Sequence, residues 1–451
     1  MLKLLLPLLL LTPPHAAEPA KSLDWQPCPG DGVVAMDCAD LAVPITPHSG
    51  RTITLKIARL KATGPRKGSV LVNFGGPQGR QIAALRSRPR IFEQIRASMD
   101  VLTWDPRGYP GLSGPALDCD WGFLRTPRFP ADQAGFDQLA AANRARADRC
   151  RTTDPALFDH MDSGSDARDI EAIRVALGER RVNFVGTSYG GVLGQAYARQ
   201  YPHRVRTLYV DGTGNHSARD WERELDAIAR DNENFVRRFL DWAGPGTEQR
   251  WQALIAKAAR EPIPAANTTY DGTQLQALAF LTLRRGPGQW APLLSAITAA
   301  EAGDASGFVP TSGDPNPGVP GGGVKECLDH PRAGHRQSAR TAERLRRIAP
   351  DTGASFPLAW HLPLTCAGWP APVTNPPSPL PATLPPLLGA GTWQDHAPTK
   401  RVTDQVPGSR TIRHDGPGHN LFAGMANACV IDHVSRYVVD RELPPADALC
   451  P

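Results

Sequence analysis

A six-residue string constrains the fold of this chain more than any other segment. The string GTSYGG at residues 186–191 follows an apolar run at 182–185, which predicts a buried strand, and leads into a helical pattern over 190–200. A strand that turns directly into a helix needs a sharp turn, and glycines around the serine allow its backbone segments to approach closely. The pattern predicts that Ser188 occupies a strained turn with its hydroxyl exposed above a sheet edge, as a candidate nucleophile.

The alternation of strand and helix patterns extends this argument to the rest of the chain. Short apolar runs recur before and after the turn with helical patterns between them, which favours an α/β fold with a mostly parallel sheet. From about residue 215 to 364 helical spacing dominates, and the strand pattern returns at 384–389. We predict a core made of residues 21–212 and 371–451, interrupted by a helical cap at 213–370.

The first 20 residues predict export. Lys3 precedes a leucine-rich run at residues 4–11, and small residues follow near 16–20, which is the pattern of a secretory signal peptide at 1–20. The apolar run is too short to span a bilayer, which takes about 20 apolar residues. We therefore expect cleavage, a secreted or periplasmic protein, and no membrane association afterwards.

The composition excludes two classes of protein. Hydrophobic residues make up 41% of the 451 residues and charged residues 21%, which is enough apolar side chain to exclude disorder throughout. The net charge is only +5, and no basic block with interleaved aromatic residues occurs in the sequence. We therefore expect no nucleic-acid partner.

The cysteine count agrees with export. Eight cysteines permit 105 pairings, and pairing between neighbours along the chain is the simplest framework. The predicted bridges are Cys28–Cys38, Cys119–Cys150, Cys327–Cys366 and Cys429–Cys450. No C-x-x-C string occurs, and His330 and His335 lack a convincing set of further ligands, so we expect neither a metal nor a cofactor.

A nucleophilic serine needs a base and an acid, which in folds with such a turn follow it in the order Ser, Asp or Glu, His. His419 follows the last predicted strand and is the favoured base, while His414 adjoins that strand and is expected to be structural. Asp395 follows the preceding strand and is the favoured acid. The rival acid is Asp211, at the end of an earlier strand, where it would otherwise cap a turn.

An oxyanion hole is expected from two backbone N–H groups. One belongs to Tyr189, the residue after the candidate nucleophile. The other belongs to the FGGP string at residues 74–77, which directly follows a predicted buried strand. Gly76 is its expected donor, because Pro77 has no N–H.

Together these features resemble the secreted α/β-hydrolase peptidases of the tripeptidyl aminopeptidase type, which are relatives of prolyl aminopeptidase. The resemblance runs over nearly all of the mature chain. Its most specific parts are the paired cysteines, CAGWP at residues 366–370 and the tail from Cys429 to Cys450. It implies the α/β-hydrolase fold with a helical cap, no cofactor, and the triad of Ser188, Asp395 and His419.

The chain departs from that family beside the expected oxyanion hole. The family usually has proline at the position of Phe74, and Gly-Gly-Ser-Gly where residues 78–81 read Gln-Gly-Arg-Gln. We therefore expect the hole and the pocket floor to differ from those of the family.

These observations predict an exported serine hydrolase, an aminopeptidase acting on peptides with free amino termini. Such an enzyme needs a buried carboxylate for the substrate ammonium, and Glu326 and Asp329, which flank Cys327, are the candidates. The alternatives are an exported carboxylesterase with the same machinery and, in another class, a catalytically inactive binding protein. The intact set of serine, histidine and aspartate disfavours the inactive protein.

Overall fold

The structure, a computed structural model, describes most of the chain outside its amino-terminal segment. The described residues are 23–30, 34–47, 50–76, 79–117, 119, 128–308 and 323–451. The expected signal peptide at 1–20 and Pro77 of the expected oxyanion loop lie outside them. Within these ranges no helix combines the length and the apolar character needed to cross a membrane.

Strands and helices alternate through most of the described chain. The strands are β1 (Gln26–Pro27), β2 (Asp37–Pro44), β3 (Thr52–Leu60), β4 (Gly68–Asn73), β5 (Met99–Trp104), β6 (Arg107–Gly108), β7 (Ser113–Ala116), β8 (Val182–Thr187), β9 (Val205–Asp211), β10 (Ile263–Ala265), β11 (Thr268–Tyr270), β12 (Leu388–Gly391), β13 (Arg410–His414) and β14 (Leu449–Cys450). The α-helices are α1 (Gln81–Ser87), α2 (Glu93–Arg96), α3 (Gln133–Thr153), α4 (Pro155–Phe158), α5 (Ser163–Ala176), α6 (Tyr189–Gln200), α7 (Trp221–Ala243), α8 (Thr247–Arg260), α9 (Gly272–Leu283), α10 (Trp290–Glu301), α11 (Gly323–Asp329), α12 (His335–Ile348), α13 (His361–Thr365), α14 (His396–Thr403) and α15 (Ala428–Asp440).

The strands of the central sheet follow the order β1-β2-β3-β5-β4-β8-β9-β12-β13-β14. The strands from β5 to β14 along this path are parallel, whereas β1, β2 and β3 pair antiparallel at one end. The carboxyl ends of parallel strands meet at one edge of a sheet. The loops after β4, β8, β9, β12 and β13 therefore lie close together at that edge.

Helices cover both faces of the sheet, which explains the continuous apolar runs of its central strands. β4, β5 and β8 are buried at every position. On one face Ile170 of α5 packs in the same cluster as Phe184 of β8. On the other face Ile95 of α2 and Val434 of α15 pack in the same cluster as Val185.

A cap built from α7 to α13 lies between β9 and β12 in the chain. It has an apolar core of its own, which includes Phe239 and Trp290. Arg401 of α14 forms ion pairs with Glu224 and Asp231 of α7, at 2.9 and 2.7 Å. These contacts attach the first cap helix to the core beside the candidate acid loop.

Two local features differ from the expectations, and proline accounts for both. The cap contains an antiparallel hairpin, β10–β11, because Pro262 and Pro264 lack the N–H groups that a continuing helix needs. The strand expected to start at residue 384 begins four residues later at Leu388, because Pro385 and Pro386 cannot donate to a neighbouring strand.

Four disulfide bonds join cysteines that are neighbours along the chain. They link Cys28 to Cys38, Cys119 to Cys150, Cys327 to Cys366 and Cys429 to Cys450. The third bond connects α11 with the residue that follows α13, so it holds two elements of the cap together.

Candidate active site

Ser188 occupies the sharp turn between β8 and α6, with φ 55° and ψ −123°. A residue other than glycine with a positive φ is strained, and such strain concentrates at functional positions. The Ser188 side chain makes no capping hydrogen bond to α6. Its hydroxyl lies instead beside the ring of His419.

Close backbone approach explains the glycines around this turn. A Cβ at Gly186 would overlap the carbonyl group of Gly190, and a Cβ at Gly190 would overlap the carbonyl oxygen of Asn73. A Cβ at Gly75 would lie 2.7 Å from the Cβ of Ser188, closer than real Cβ contacts allow. The turn and the loop after β4 therefore pack directly against each other.

Ser188, His419 and Asp395 form a continuous line of hydrogen-bonding groups. The Oγ of Ser188 lies 3.1 Å from Nε2 of His419, and Nδ1 of His419 lies 2.8 Å from Oδ2 of Asp395. The two loops that carry the base and the acid are also joined, because Thr392 Oγ1 donates a 2.8 Å bond to the Gly418 carbonyl. This is the arrangement that a serine, a general base and an orienting carboxylate require.

The surroundings of Asp395 favour its ionised form. Its Oδ1 accepts a 2.6 Å hydrogen bond from the Thr392 N–H, and the Thr392 hydroxyl, whose shorter bond goes to Gly418, lies 3.0 Å away. Burial alone would raise the pKa of Asp395, but the hydrogen bond and charge of His419 and the Thr392 N–H leave that pKa below its usual value. A buried, ionised aspartate holds the adjacent imidazole in one tautomer.

The two alternatives considered from the sequence make other contacts. His414 ends β13, and its Nδ1 lies 3.1 Å from the carbonyl oxygen of Cys450. Asp211 ends β9 and accepts a 2.7 Å hydrogen bond from the N–H of Phe422. Burial raises the pKa of Asp211 to about 7, against the Phe422 hydrogen bond and with a smaller contribution from the charge of Asp395. The Ser188 N–H donates a 2.8 Å bond to the carbonyl oxygen of Asp211, but among the described residues neither the Asp211 carboxyl nor the His414 ring is hydrogen-bonded to the Ser188 hydroxyl or to His419.

Gly76 and Tyr189, whose backbone N–H groups are the expected oxyanion donors, both line the cavity that contains Ser188. Neither of these two N–H groups donates a hydrogen bond to another described residue. Gly76 has φ 74°, a conformation that favours glycine. The N–H of Gly75, in contrast, already donates a 3.0 Å bond to Asn73 Oδ1. Within the described part of the chain, nothing takes up these two donors beside the serine, as an oxyanion hole requires.

The side chain of Gln81 holds the loop after β4 in place through hydrogen bonds. Reasoning from the sequence does not identify Gln81 as a site residue. Its Oε1 accepts a 2.7 Å bond from the Phe74 N–H, and its Nε2 donates 3.0 Å bonds to the carbonyl oxygens of Gly75 and Gly79. The side chain is 1% exposed. Its only signal in the sequence is its occurrence where the related family has glycine.

A cavity of about 360 Å³ lies above Ser188, between the sheet edge and the cap. This volume falls within the range of small-molecule sites. Trp221 and Leu362 contribute apolar surface, while Glu326 contributes a carboxyl group and Arg284 a guanidinium. All four of these residues belong to the cap or its connecting segments, so the cap determines which part of a substrate fits over the serine.

Glu326 and Asp329, both on α11, have different surroundings. Glu326 lines the cavity, and its Oε2 has no hydrogen-bond partner among the described residues. Burial, together with the charge of Asp329, raises the pKa of Glu326 to about 8 despite a backbone hydrogen bond. Asp329 accepts bonds from the N–H and hydroxyl of Ser163, the Tyr189 hydroxyl and the Asn375 amide. Glu326 therefore has open hydrogen-bonding capacity in the cavity, while Asp329 is already engaged.

One group of three potential metal ligands occurs in the described chain, formed by Cys429, His433 and Cys450. The two cysteines are bonded to each other. Because a disulfide offers no thiolate, this group lacks the donors that a zinc site uses. It also lies on α15 and β14, apart from the loops that carry Ser188 and His419.

Comparison with known proteins identifies relatives of this chain. Residues 74–271 match the family described as alpha/beta hydrolase fold, and residues 357–450 match the family described as TAP-like protein. The tripeptidyl aminopeptidase of Streptomyces coelicolor is 27% identical over 485 aligned residues, covering 96% of this chain and 87% of the relative.

Two further relatives are similar over most of their length. Serine protease Hip1 of Mycobacterium tuberculosis is 27% identical over 498 aligned residues, covering 96% of this chain and 92% of the relative. Carboxylesterase B of the same species is 27% identical over 463 aligned residues, covering 92% of this chain and 86% of the relative. This chain is thus a serine hydrolase of the α/β-hydrolase fold, with a TAP-like carboxyl-terminal region.

Proposed function

We propose that this protein is an exported aminopeptidase that releases short peptides or single residues from the free amino termini of peptides. The main observation behind the proposal is that Glu326 lines the same cavity as Ser188 and His419. Its Oε2 has no hydrogen-bond partner among the described residues, so it is available to a ligand. The name of the tripeptidyl aminopeptidase relative points to the same chemistry.

In the first half of the reaction Ser188 attacks the carbonyl carbon of the scissile peptide bond. His419 takes the hydroxyl proton through Nε2, which lies 3.1 Å from Oγ. Asp395 holds the Nδ1 proton and stabilises the imidazolium that forms. The N–H groups of Gly76 and Tyr189 donate to the oxyanion of the tetrahedral intermediate.

Collapse of that intermediate breaks the peptide bond and leaves an ester on Ser188. His419 gives its proton to the leaving amine, which departs as the shortened peptide. A water molecule then attacks the ester while His419 takes one of its protons, and the same proton returns to the serine as the released acid leaves. The cycle needs no group beyond the residues named and water.

Glu326 supplies the selectivity for a free amino terminus. A carboxyl group with no cationic partner in a buried site has a raised pKa, and a substrate ammonium placed beside it favours the ionised form. The resulting pair is buried, so removing the positive charge from the substrate leaves an uncompensated group. An acetylated amino terminus is therefore rejected.

The cap supplies the selectivity for small substrates. It covers a cavity of about 360 Å³, which suits a short stretch of peptide rather than a folded protein loop. The disulfide between Cys327 and Cys366 holds α11, which carries Glu326, against the segment after α13. The distance between the ammonium site and the serine is thereby limited, and with it the length of the peptide released.

Two features support export. Residues 1–20 have the composition of a secretory signal peptide. The four disulfide bonds are of a kind that persists in oxidising compartments and is rare in the cytosol. We therefore place the mature enzyme outside the cytoplasm.

The second candidate is a carboxylesterase, which the name of one relative favours. Acyl transfer from serine to water is common to both reactions, so the triad does not separate them. The open carboxyl of Glu326 favours the peptidase, because an ordinary neutral ester gives that group no partner.

The experiment compares kcat/KM for matched tripeptide anilides with a free or an acetylated amino terminus. Losing one partner of a buried pair costs about 3–5 kcal/mol, so the acetylated peptide should react at least about a hundredfold more slowly. Glu326→Gln should abolish the difference. The control is Glu343→Gln, which removes an exposed acid of the cap paired with Arg347 and should change neither value.

Equal values for the two peptides in the unaltered enzyme would reject the aminopeptidase and favour the esterase. Failure of Ser188 to react with a fluorophosphonate, in protein that is folded, would reject both and favour a catalytically inactive binding protein.

A further inference from the structure

Arg284, at the carboxyl end of α9, lines the catalytic cavity together with Ser188 and His419. No described residue forms a hydrogen bond or an ion pair with its guanidinium. In contrast, the guanidinium of the buried Arg107 donates a hydrogen bond to each carboxylate oxygen of Asp169. A guanidinium enclosed by protein without an acceptor is unfavourable unless a ligand supplies one.

The charge of Arg284 is not neutralised by the triad. Burial lowers the pKa of Arg284, while the carboxylate of Asp395 acts in the opposite direction, so the two groups are near enough to interact. Both oxygens of Asp395 are already engaged, by His419 and Thr392. Because a guanidinium remains protonated in proteins, Arg284 presents to the cavity a permanent positive charge whose donors no described residue takes up.

Arg284 and Glu326 place a guanidinium and a carboxyl group in the same cavity as Ser188. Burial and the charge of Asp329 raise the pKa of Glu326, whereas the carboxylate that acts on Arg284 is that of Asp395. Asp395 is bonded to His419, the group that protonates the leaving amine. The proposed function gives Glu326 the ammonium of the acyl part, so the guanidinium, which shares the cavity with His419 and interacts with Asp395, is left for the leaving part.

We infer that Arg284 binds a carboxylate on the leaving part of the substrate, an inference that rests on the proposed function for the direction of cleavage. The planar guanidinium matches a carboxylate with two parallel hydrogen bonds. In a short peptide this carboxylate is the carboxyl terminus of the leaving residue. In a longer chain it would be an acidic side chain at the same position.

The small volume of the cavity favours the terminal carboxylate. A space of about 360 Å³ leaves little room for a chain that continues beyond the leaving residue. The substrates are then short peptides held by charge at both ends, with the ammonium at Glu326 and the carboxylate at Arg284. Hydrolysis supplies single amino acids as the leaving product.

The test uses one tripeptidyl group with a free amino terminus and three leaving groups. These are alanine, alaninamide, and an aspartyl amide whose only carboxylate is its side chain. The variants are Arg284→Met, Arg284→Lys and Arg285→Met, the last being a matched control at the exposed neighbouring residue, which does not line the cavity. The readout is the ratio of kcat/KM between leaving groups, which a general loss of stability does not change.

We expect the substrate with alanine as its leaving group to be hydrolysed about ten- to a hundredfold faster than the substrate with alaninamide. The reason is that only the alanine carboxylate forms hydrogen bonds between charged groups with Arg284. Arg284→Met should bring the two to equality, Arg284→Lys should keep part of the preference, and Arg285→Met should keep all of it. A preference for the aspartyl amide over alanine would assign the bound carboxylate to a side chain. Equal rates in the unaltered enzyme, or a preference that persists in Arg284→Met, would overturn the role of Arg284.

A result that rejects the aminopeptidase can be distinguished from a result that rejects the role of Arg284. The same ratios are measured with lactate and lactamide as leaving groups in ester substrates, so the carboxylate preference is obtained even when peptide bonds are not cleaved. Loss of selectivity for the free amine, with the carboxylate preference intact, would contradict the aminopeptidase and leave Arg284 as the carboxylate site. The opposite pattern would contradict only the inference about Arg284.

Discussion

The backbone N–H of Phe422 donates a 2.7 Å hydrogen bond to Oδ2 of Asp211, which ties the loop that carries His419 to the end of β9. Asp211 is fully buried, and its neighbour Gly212 lies so close to the triad that a Cβ there would come 3.1 Å from His419 Nδ1. Asp211 therefore supports the position of the histidine loop, while the bond to the imidazole itself comes from Asp395.

The first prediction follows from this division of roles. Asp395→Asn should lower kcat by about 10⁴-fold, because the amide no longer holds the required imidazole tautomer. Asp211→Asn should cost less than about tenfold, because the amide oxygen still accepts the Phe422 N–H. Asp211→Leu leaves that buried N–H unpaired and should lower stability by about 1–3 kcal/mol. Steady-state kinetics and thermal unfolding of the three variants measure these effects.

A pH series provides the control for Asp211. Its pKa in the folded protein is raised to about 7 from an ordinary value of 3.8, so the folded state binds the extra proton between these values. This contribution to stability is complete below about pH 4 and is lost as the pH rises through 7. Asp211→Asn should remove that part of the pH dependence. A larger catalytic loss in Asp211→Asn than in Asp395→Asn would reverse the assignment of the acid.

The second prediction concerns the nucleophile. Ser188→Ala should lower kcat by about 10⁴-fold or more while the protein still folds, since the members of such a triad act as a unit. A fluorophosphonate should label the unaltered protein at Ser188 and leave the variant unlabelled. Labelling at another serine, with activity retained in Ser188→Ala, would disprove the assignment.

The third prediction concerns Gln81, which holds the loop that carries Gly76 in place. Gln81→Leu removes the bonds to the Phe74 N–H and to the Gly75 and Gly79 carbonyls, so the Gly76 N–H loses its fixed direction. Losing one oxyanion donor costs about 10²–10³ in kcat, and a misdirected donor should cost about 10- to 100-fold with little change in KM. Gln81→Glu keeps the acceptor for Phe74 and should be milder. A rise in KM with kcat unchanged would argue that Gln81 contacts the substrate instead.

The fourth prediction concerns the cap disulfide. Replacing Cys327 and Cys366 together by serine opens a loop with a sequence separation of 39 residues, which the chain-entropy account values at about 3–4 kcal/mol of stability. Because α11 carries Glu326, KM for peptides with a free amino terminus should also rise. The matched control is the double replacement of Cys28 and Cys38, at the antiparallel end of the sheet and not among the residues that line the cavity, which should leave KM unchanged. Peptide mapping without reduction that found free thiols or crossed pairs would refute the bonding scheme.

Local patterns predict the parts of this molecule that depend on short stretches of chain. The strand, turn and helix around Ser188 are adjacent in sequence, and their glycines leave a recognisable string because the backbone must pack closely there. The candidate acid and base follow the order of the later strands, which the parallel sheet brings to one edge. These inferences need only the alternation of strands and helices.

Contacts between distant segments are beyond such patterns. Glu326 and Asp329 lie three residues apart on one helix, and only the packing of α11 against Ser163 and Tyr189 shows that Asp329 is already hydrogen-bonded. Arg284 ends an ordinary-looking cap helix, and its exposure to the cavity depends on how the cap lies over the sheet edge. For the same reason, cap residues that select a substrate are harder to predict than the serine that reacts with it.

The last prediction is a pH dependence specific to Glu326, whose pKa in the free protein is raised to about 8 by burial. Below that pH the carboxyl is protonated in the free enzyme, so pairing with the substrate ammonium requires the loss of that proton. Above it the α-amino group of the substrate, with a pKa of about 7.7–8.0, loses its own charge. The ratio of kcat/KM between free and acetylated peptides should therefore peak near pH 8 and fall by up to about tenfold per pH unit on the acid side.

The ratio isolates this effect, because the titration of the triad influences both peptides equally. Glu326→Gln should give a ratio that is flat between pH 6 and pH 9, on the order of unity, since an amide has no charge to lose. Glu343→Gln, the exposed control, should keep the peak. A ratio that stays constant with pH in the unaltered enzyme would show that the ammonium pairs with a group other than Glu326, and a peak that persists in Glu326→Gln would lead to the same conclusion.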